Sequence, residues 1–320
     1  MYILKSIFSK AIFSSKFSFV FYYFFISLEK SIIFARKKET MDLHIDELLS
    51  KEAFKELSSL KDDDRYFSAL SSELSEKRKE EDFARRHNKF TALMYEPFGG
   101  SDVAGYVYRS RLLRKISSDE SIVNPSVFSY VPQKLVTDTF PNRGRLNLTG
   151  QVVSYCSIEP KTNFREISHD IVPSDRVFLA KYKKSSTKCL NCYIIDPSRF
   201  TPNTIKHKEY FDELSNLFLA TNSKYFASSF LGNYILNLDK GKFKFDAIIY
   251  PSVRYLQAGE LNTNIAIKPS YFEDNYNLEW VICGQVDDAL AKVSFEYIGF
   301  PLHDKLVWYE SKLFPCDNIL

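Results

Sequence analysis

The sequence predicts an α+β fold, with a helical N-terminal module in front of a body rich in β-strands. All 12 Pro and all 10 Gly of the 320-residue chain lie at or after Pro97. Because Gly and Pro mark turns, we expect the front third to be helix or tail and the remainder to contain strands. The chain is 45% hydrophobic, which is enough for a sizeable buried core and excludes a disordered chain.

Short apolar or alternating runs, each bounded by turn residues, predict the strands of the body. They are Tyr106 to Leu113, Gln151 to Ile158, Arg176 to Tyr182, Cys192 to Ile195, Phe245 to Tyr250, Asn264 to Ile267, Trp280 to Val286 and Val293 to Ile298. Two segments, Lys206 to Leu219 and Ser223 to Leu236, have helical patterns. Strands greatly outnumber helices and no period repeats, so a sheet sandwich is favoured over a doubly wound fold.

The chain divides into three parts by composition. Residues 1–40 form an apolar and basic leader, and residues 41–96 a charged helical module. The module has one apolar stripe among balanced charges, from about residue 45 to residue 93, which indicates a helix pair that packs on the body or contacts a partner. Residues 97–320 form the body.

Three interpretations of the leader stay open. Its longest uncharged run, Phe17 to Leu28, has 12 residues, whereas a membrane-spanning helix needs roughly 20 apolar residues. We therefore expect no membrane span. The leader is then a signal peptide, an interfacial anchor, or the product of an over-extended start, with translation beginning at Met41.

Charge and cysteine content restrict the partners and the compartment. The net charge of +3 comes from the leader, because the chain from Met41 onward carries 36 basic and 38 acidic residues. A near-neutral body predicts no direct nucleic-acid partner. The five cysteines are odd in number and scattered, which argues against a secreted disulfide framework and favours a cytoplasmic protein.

Several short motifs do not support a site. Gly100 to Gly105 has the glycine spacing of a phosphate loop but lacks its Lys. Cys189 and Cys192 form one CxxC, which is too few ligands for a closed zinc site, so no metal is expected; a redox role is the alternative to an incidental spacing. The pairs that begin at His169 and His303 are assigned no role.

One ordered set of motifs stands out. Asn142-Arg-Gly-Arg-Leu-Asn-Leu-Thr-Gly150 precedes the strand Gln151-Val-Val-Ser-Tyr-Cys-Ser157, and Phe164-Arg-Glu166 follows. Phe245-Asp-Ala-Ile-Ile-Tyr-Pro-Ser252 comes later. Their order and spacing over roughly Tyr106 to Lys268 resemble the RES domain family, named for an Arg, a Glu and a Ser.

Carried over from that family, the site residues are Arg145, Tyr155, Glu166 and Ser252. An Arg of the opening strand also recurs in the family, and Arg109 matches it better than Arg111 does. Leu146 stands where the family has Trp, and Ala247 where it has Gly; both departures are apolar and concern packing more than chemistry.

The resemblance implies an ADP-ribosyltransferase-like fold that takes NAD as its substrate and breaks the bond between nicotinamide and ribose. Members often act as toxins that deplete NAD, and an adjacent helix-turn-helix antitoxin holds them inactive. Some members instead transfer ADP-ribose to a protein.

The residue types suit this chemistry. A carboxylate such as Glu166 can stabilise the oxocarbenium-like centre that forms at the ribose or hold the ribose hydroxyls. Arg145 and Arg109 can bind pyrophosphate oxygens bidentately, Arg145 also at the catalytic centre. Tyr155 can stack on the cationic nicotinamide, and Ser252 can hydrogen-bond the amide or ribose. Taken singly, each has a structural explanation, such as a surface ion pair or a core aromatic ring; the ordered set favours a site.

Three functions follow from the sequence. The first is an NAD glycohydrolase, or an enzyme that uses phosphate in place of water, acting as the toxin of a toxin-antitoxin system. The second keeps the same site but transfers ADP-ribose to a protein side chain. The third is a non-catalytic module that senses a nucleotide and signals through the helical module.

Overall fold

A nine-stranded, mostly antiparallel sheet organises the structure, which is a computed structural model. The model describes residues 53–70, 75–88, 105–116, 120–131, 136, 144–168, 171–172, 175–195, 205–219, 225–237, 239–240, 243–252, 262–286 and 293–313. The elements of this part of the chain belong to one compact unit, Phe54–Leu320.

The described helices and strands follow one another along the chain in a mixed order. The α-helices are α1 (Phe54–Ala69), α2 (Glu76–Arg86), α3 (Pro160–Ser168), α4 (Ile205–Leu219), α5 (Phe226–Asn237) and α6 (Pro269–Asn275). The strands are β1 (Tyr106–Leu112), β2 (Ser154–Ser157), β3 (Arg176–Lys184), β4 (Cys192–Ile194), β5 (Asp239–Lys240), β6 (Phe243–Lys244), β7 (Ala247–Pro251), β8 (Thr263–Ile267), β9 (Tyr276–Val286), β10 (Val293–Leu302) and β11 (Lys305–Glu310).

The strand order of the large sheet is β11-β10-β9-β3-β1-β2-β8-β7-β4, and β5 and β6 form a separate hairpin. The β4–β7 pair is parallel, and the other described pairs are antiparallel. The single residue pair Tyr108 with Ser157 joins β1 to β2. The next pair along the same row is Ser157 with Asn264, and Asn264 in turn pairs with Tyr250. Directly opposed residues of antiparallel strands share a face, so these four side chains lie on one face of the sheet.

The other face of the sheet carries the main hydrophobic core. The core includes Val107, Cys156, Ile249 and Ile265, each of which is the sequence neighbour of one residue of that row. All four are almost completely buried. Helix α3 packs on β1, β2 and β8, and helices α4 and α5 pack on β7. These helices bury the second side of the central strands, which explains why β7 and β8 are buried at every position rather than at alternate ones.

Helices α1 and α2 pack against α5 through aromatic rings. Phe67 and Phe83 contact Phe226, and Phe83 also contacts Phe230. The buried carboxylate of Asp64 accepts a hydrogen bond of 2.9 Å from the backbone N–H of Ala227, in the first turn of α5. That contact satisfies an N–H that has no partner within the helix. The two helices of the charged module are thus attached to a helix that lies on the sheet.

The α+β class predicted from the sequence is confirmed, and each predicted strand and body helix has a counterpart in the structure. The helices α3 and α6, the strand β11 and the short hairpin of β5 and β6 were not predicted. The ADP-ribosyltransferase-like sandwich and the boundary at residue 97 stay predictions. The leader, residues 100–104 of the glycine motif and His169 lie outside the described residues. Among the described helices, none is both long and apolar enough to cross a membrane.

Candidate functional site

Helix α3 places Glu166 over the strand β8. The helix begins with Pro160, whose fixed φ suits the first helical turn. Phe164 and Ile167 of α3 pack on a small apolar cluster that includes Leu112 of β1. Residues three apart share a helix face, so this packing sets the rotation of the helix about its axis. Glu166 is half-buried and its carboxylate points to the β7–β8 side of the helix, as its hydrogen bonds show.

Two buried polar side chains hold the Glu166 carboxylate. The Ser252 hydroxyl donates to Oε1 at 2.5 Å, and the Asn264 amide donates to the same oxygen at 2.8 Å. Ser252 is 1% exposed and Asn264 is 4% exposed. Both hydrogen bonds that the described residues make to this carboxylate end on Oε1, so Oε2 is left without a partner among them. The pair of donors therefore orients the carboxylate and leaves one oxygen for another group.

The sheet register explains why the two donors meet. Asn264 of β8 lies opposite Tyr250 of β7, and Ser252 follows two residues after Tyr250, directly past the end of the strand. Side chains two residues apart in a strand share a face. The backbone N–H of Ser252 donates to the carbonyl of Asn262 at 2.7 Å, which continues the pairing for one more residue. Ser252 and Asn264 thus reach the same side of the sheet as Glu166.

Tyr155 of β2 supports the turn that carries Arg145. Its hydroxyl accepts a hydrogen bond of 2.7 Å from the Leu146 backbone N–H and donates one of 2.7 Å to Oδ1 of Asn147. Burial raises the pKa of Tyr155 well above its usual value, so its hydroxyl stays protonated at neutral pH. A Cβ at Gly144 would lie 2.7 Å from the same hydroxyl, so the close approach of this turn to Tyr155 requires glycine.

Arg145 leaves that turn towards the ends of α4 and α5. Its guanidinium donates to the carbonyl of Phe218 and, at 3.4 Å, to the hydroxyl of Tyr225. It also lies 4.8 Å from the centre of the Tyr225 ring, a cation–π distance. Within the described part of the chain no carboxylate forms an ion pair with Arg145. A cation held by neutral groups keeps its charge available for an anionic ligand.

Helices α5 and α2 also contact the turn that carries Arg145. Leu146 is fully buried against α5, where a Cβ on Gly232 would lie 2.6 Å from the Leu146 carbonyl oxygen. The backbone N–H of Thr149 donates to Oε2 of Glu80, on α2, at 2.9 Å. The position of Arg145 therefore depends on the sheet, on α5 and on the helical module.

Arg109 does not contact Glu166. By register its side chain leaves β1 on the face that carries Val107 and the main core, and its guanidinium donates to the backbone carbonyl of Tyr155 at 2.7 Å. Its Nε is buried with no hydrogen-bond partner in the described part of the chain, and burial lowers the pKa of Arg109. Arg111, the alternative match, forms a buried ion pair with Glu120 at 3.1 Å, so it is already neutralised. Of the two arginines, Arg109 is the one without an acidic partner among the described residues.

The structure thus brings Glu166 and Ser252 into direct contact and places Arg145 in a turn that Tyr155 supports from β2. Among the described residues, Arg109 joins this group through its hydrogen bond to the backbone of Tyr155. Sequence reasoning missed Asn264 as a site residue, although it opens a predicted strand. It also missed Tyr250, which interacts electrostatically with Tyr155, Glu166 and Arg145.

The remaining motifs show no further site in the described residues. No group of three His, Cys, Asp or Glu side chains there could hold a metal ion. Cys189 is exposed and Cys192 is buried, and both are free thiols. His303 lies in the exposed turn between β10 and β11.

Comparison with protein-family models, with curated proteins and with solved structures finds no match for this chain. The likeness to the RES family therefore rests on the motifs themselves.

Proposed function

We propose that this chain binds NAD and cleaves the bond between nicotinamide and ribose, as a member of the RES family with an ADP-ribosyltransferase-like fold. The observation that carries the proposal is the half-buried Glu166 carboxylate. Ser252 and Asn264 orient it through one oxygen and leave the other without a partner among the described residues. Two of the three residues at this carboxylate, Glu166 and Ser252, belong to the motifs that resemble the family.

A carboxylate held in this way suits the departure of a cationic leaving group. When the C1′–N bond breaks, its electron pair goes to the nicotinamide nitrogen, and positive charge develops on C1′ and the ring oxygen of the ribose. The Oε2 atom of Glu166 stabilises that charge or accepts a hydrogen bond from a ribose hydroxyl. Water then adds to C1′ and loses a proton, which yields ADP-ribose; inorganic phosphate in place of water gives ADP-ribose 1″-phosphate.

Two donors already fixed on Oε1 reduce the reorganisation that the carboxylate needs during this step. Each donor is itself buried, so it cannot turn towards solvent. A preorganised group contributes more to catalysis than a mobile one because its orientation does not have to be found during the reaction.

Arg145 and Arg109 are the proposed binding groups for the anionic pyrophosphate of NAD. Arg145 uses part of its guanidinium on Phe218 and Tyr225 and keeps further N–H groups for pyrophosphate oxygens. Arg109 has a buried Nε without a partner and no neutralising carboxylate in the described part of the chain. The ring of Tyr155, fixed by its two hydroxyl hydrogen bonds, is the proposed surface for the nicotinamide.

The biological setting follows from the family resemblance alone. The proposed role is that of a cytoplasmic toxin that depletes NAD, with a helix-turn-helix antitoxin as its partner.

The test is to incubate the purified chain with NAD labelled separately in the nicotinamide and adenine moieties. The proposal predicts release of free nicotinamide together with free ADP-ribose, or with its phosphate adduct when phosphate is present. Label from adenine that remains on protein would instead identify a protein ADP-ribosyltransferase. NAD that binds without turnover would identify a sensing module, and NAD that neither binds nor reacts would overturn the proposal.

A further inference from the structure

Tyr225, immediately before α5, has an unusual backbone conformation. Its φ is 63°, in the left-handed region, where Gly is favoured and a bulky side chain is strained. A residue that precedes a helix ordinarily takes an extended conformation. Among the described residues other than Gly, only Tyr225 and His303 have a positive φ, and His303 lies in an exposed turn. A Tyr at a position that suits Gly therefore needs an explanation in its side chain.

The first turn of α5 holds Tyr225 in this conformation. The backbone N–H and the hydroxyl of Ser229 both donate to the Tyr225 carbonyl, at 2.9 Å and 2.5 Å. Two residues after Tyr225, the backbone N–H of Ala227 donates to Asp64 of α1 at 2.9 Å. These hydrogen bonds fix the backbone around Tyr225, so the surrounding structure determines the direction in which its Cα–Cβ bond leaves the chain.

The side chain of Tyr225 contacts the guanidinium of Arg145. The ring centre lies 4.8 Å from the central guanidinium carbon, and the hydroxyl accepts a hydrogen bond of 3.4 Å from Nη2. That hydrogen bond is long, so the cation–π contact is the stronger of the two. The ring approaches the central carbon, whereas the N–H groups of an arginine point outward from it. Tyr225 can therefore restrain Arg145 while further N–H groups are left for an anionic ligand.

We infer that Tyr225 is a positioning residue for substrate binding, whose ring holds the Arg145 guanidinium in place before the pyrophosphate of NAD arrives. An arginine side chain that moves freely has to be immobilised when its ligand binds, and this weakens binding by about two- to tenfold. An Arg145 that is already in place avoids most of that loss. The inference rests on the proposed function, because it takes the ligand of Arg145 to be NAD.

The variant Tyr225→Gly tests the inference. It removes the ring and the hydroxyl, and Gly adopts the backbone conformation of this position without strain, so we expect a melting temperature close to that of wild type. The affinities for NAD and for ADP should fall by the same factor, about two- to tenfold, because the two ligands share the pyrophosphate. Tyr225→Phe keeps the ring and should bind both ligands with nearly wild-type affinity. Calorimetry measures these affinities.

A second background separates positioning from a structural role. In the Arg145→Gln variant, the additional change Tyr225→Gly should cause no further loss of NAD affinity, because Tyr225 acts through Arg145. His303→Gly is the matched control. It makes the same kind of change at the other described residue with a positive φ, in the exposed turn between β10 and β11, and should leave NAD affinity unchanged.

Three results would overturn the inference and leave the proposed function standing. They are wild-type NAD affinity in Tyr225→Gly, equal losses from Tyr225→Gly with and without the Arg145 guanidinium, and a Tyr225→Phe variant that binds NAD as weakly as Tyr225→Gly. Absence of NAD binding by the wild-type chain would overturn both the inference and the proposed function.

Discussion

Gly232→Ala is a sensitive probe of how the helical side of the molecule positions Arg145. Gly232 lies inside α5, and an added Cβ would be 2.6 Å from the Leu146 carbonyl oxygen and 2.7 Å from the Leu146 Cα. Ordinary van der Waals contact begins near 3.4 Å, so helix and turn must separate by about 0.8 Å. The obstacle is backbone, so a change of side-chain rotamer cannot relieve it.

Two opposing effects determine the stability of this variant. Ala is favoured over Gly in a helix interior by about 1 kcal/mol. Overpacking of a buried contact destabilises a protein by about 1–3 kcal/mol. We expect the contact to dominate, with a net loss of about 1 kcal/mol and a melting temperature lower by about 2 °C. Thermal unfolding followed by circular dichroism measures this change.

The displacement also reaches the site, because Arg145 precedes Leu146 in the chain. A shift of this size in a substrate-positioning group can reduce the rate up to about a hundredfold, so we expect kcat/KM for NAD to fall at least about tenfold. Gly105→Ala is the control, since a Cβ at Gly105 meets no atom within 4 Å. If Gly232→Ala is more stable than wild type and has the wild-type kcat/KM, the turn is not positioned by α5 and the reasoning is wrong.

Three further predictions concern the support of the site and the helical module. Tyr155→Phe removes two internal hydrogen bonds, so the free energy of unfolding measured in urea should fall by about 1–3 kcal/mol. An unchanged free energy of unfolding would contradict the structural role of the Tyr155 hydroxyl. Glu80→Ala removes the acceptor of the Thr149 backbone N–H, so amide hydrogen exchange at Thr149 should become faster. The control Glu81→Ala changes a carboxylate on the exposed side of α2 and should leave this exchange rate as in wild type. Equal exchange rates in the two variants would exclude the contact between Glu80 and Thr149. Burial lowers the pKa of His87, so the unfolded chain binds a proton at this residue more readily than the folded chain does. The free energy of unfolding should therefore fall as the pH drops below about 6.5, and His87→Asn should make that fall smaller. A free energy of unfolding that rises on acidification would contradict this prediction.

Eight strands of the large sheet could be predicted because each lies in a short apolar or alternating run bounded by turn residues. The strand β11 escaped prediction because its hairpin turn contains neither Gly nor Pro; His303 takes the left-handed backbone conformation there, with φ of 57°. The helix α3 escaped because it has nine residues, too few for a helical pattern to stand out. Both misses concern elements whose conformation depends on tertiary contacts.

The site could be predicted only in part, for a geometric reason. Ser252 lies 86 residues from Glu166 and Asn264 lies 98 residues from it, and their meeting depends on the register of β7 with β8. The order and spacing of the motifs that resemble the RES family identified Glu166 and Ser252, but no local sequence pattern marks Asn264 as a hydrogen-bond donor. Alternation along β1 puts Arg109 on the face of Val107, yet which face holds the core becomes clear only from the packing of the whole sheet.

The most direct test of the central claim compares nicotinamide release by two Glu→Gln variants. Glu166→Gln removes the charge that the proposed reaction needs, and Glu159→Gln makes the same change at an exposed position just before α3. We expect the first variant to lose at least about a hundredfold in rate, as removal of a transition-state contact typically does, and the second to match wild type. Equal rates in Glu166→Gln and Glu159→Gln would show that Glu166 takes no part in the chemistry.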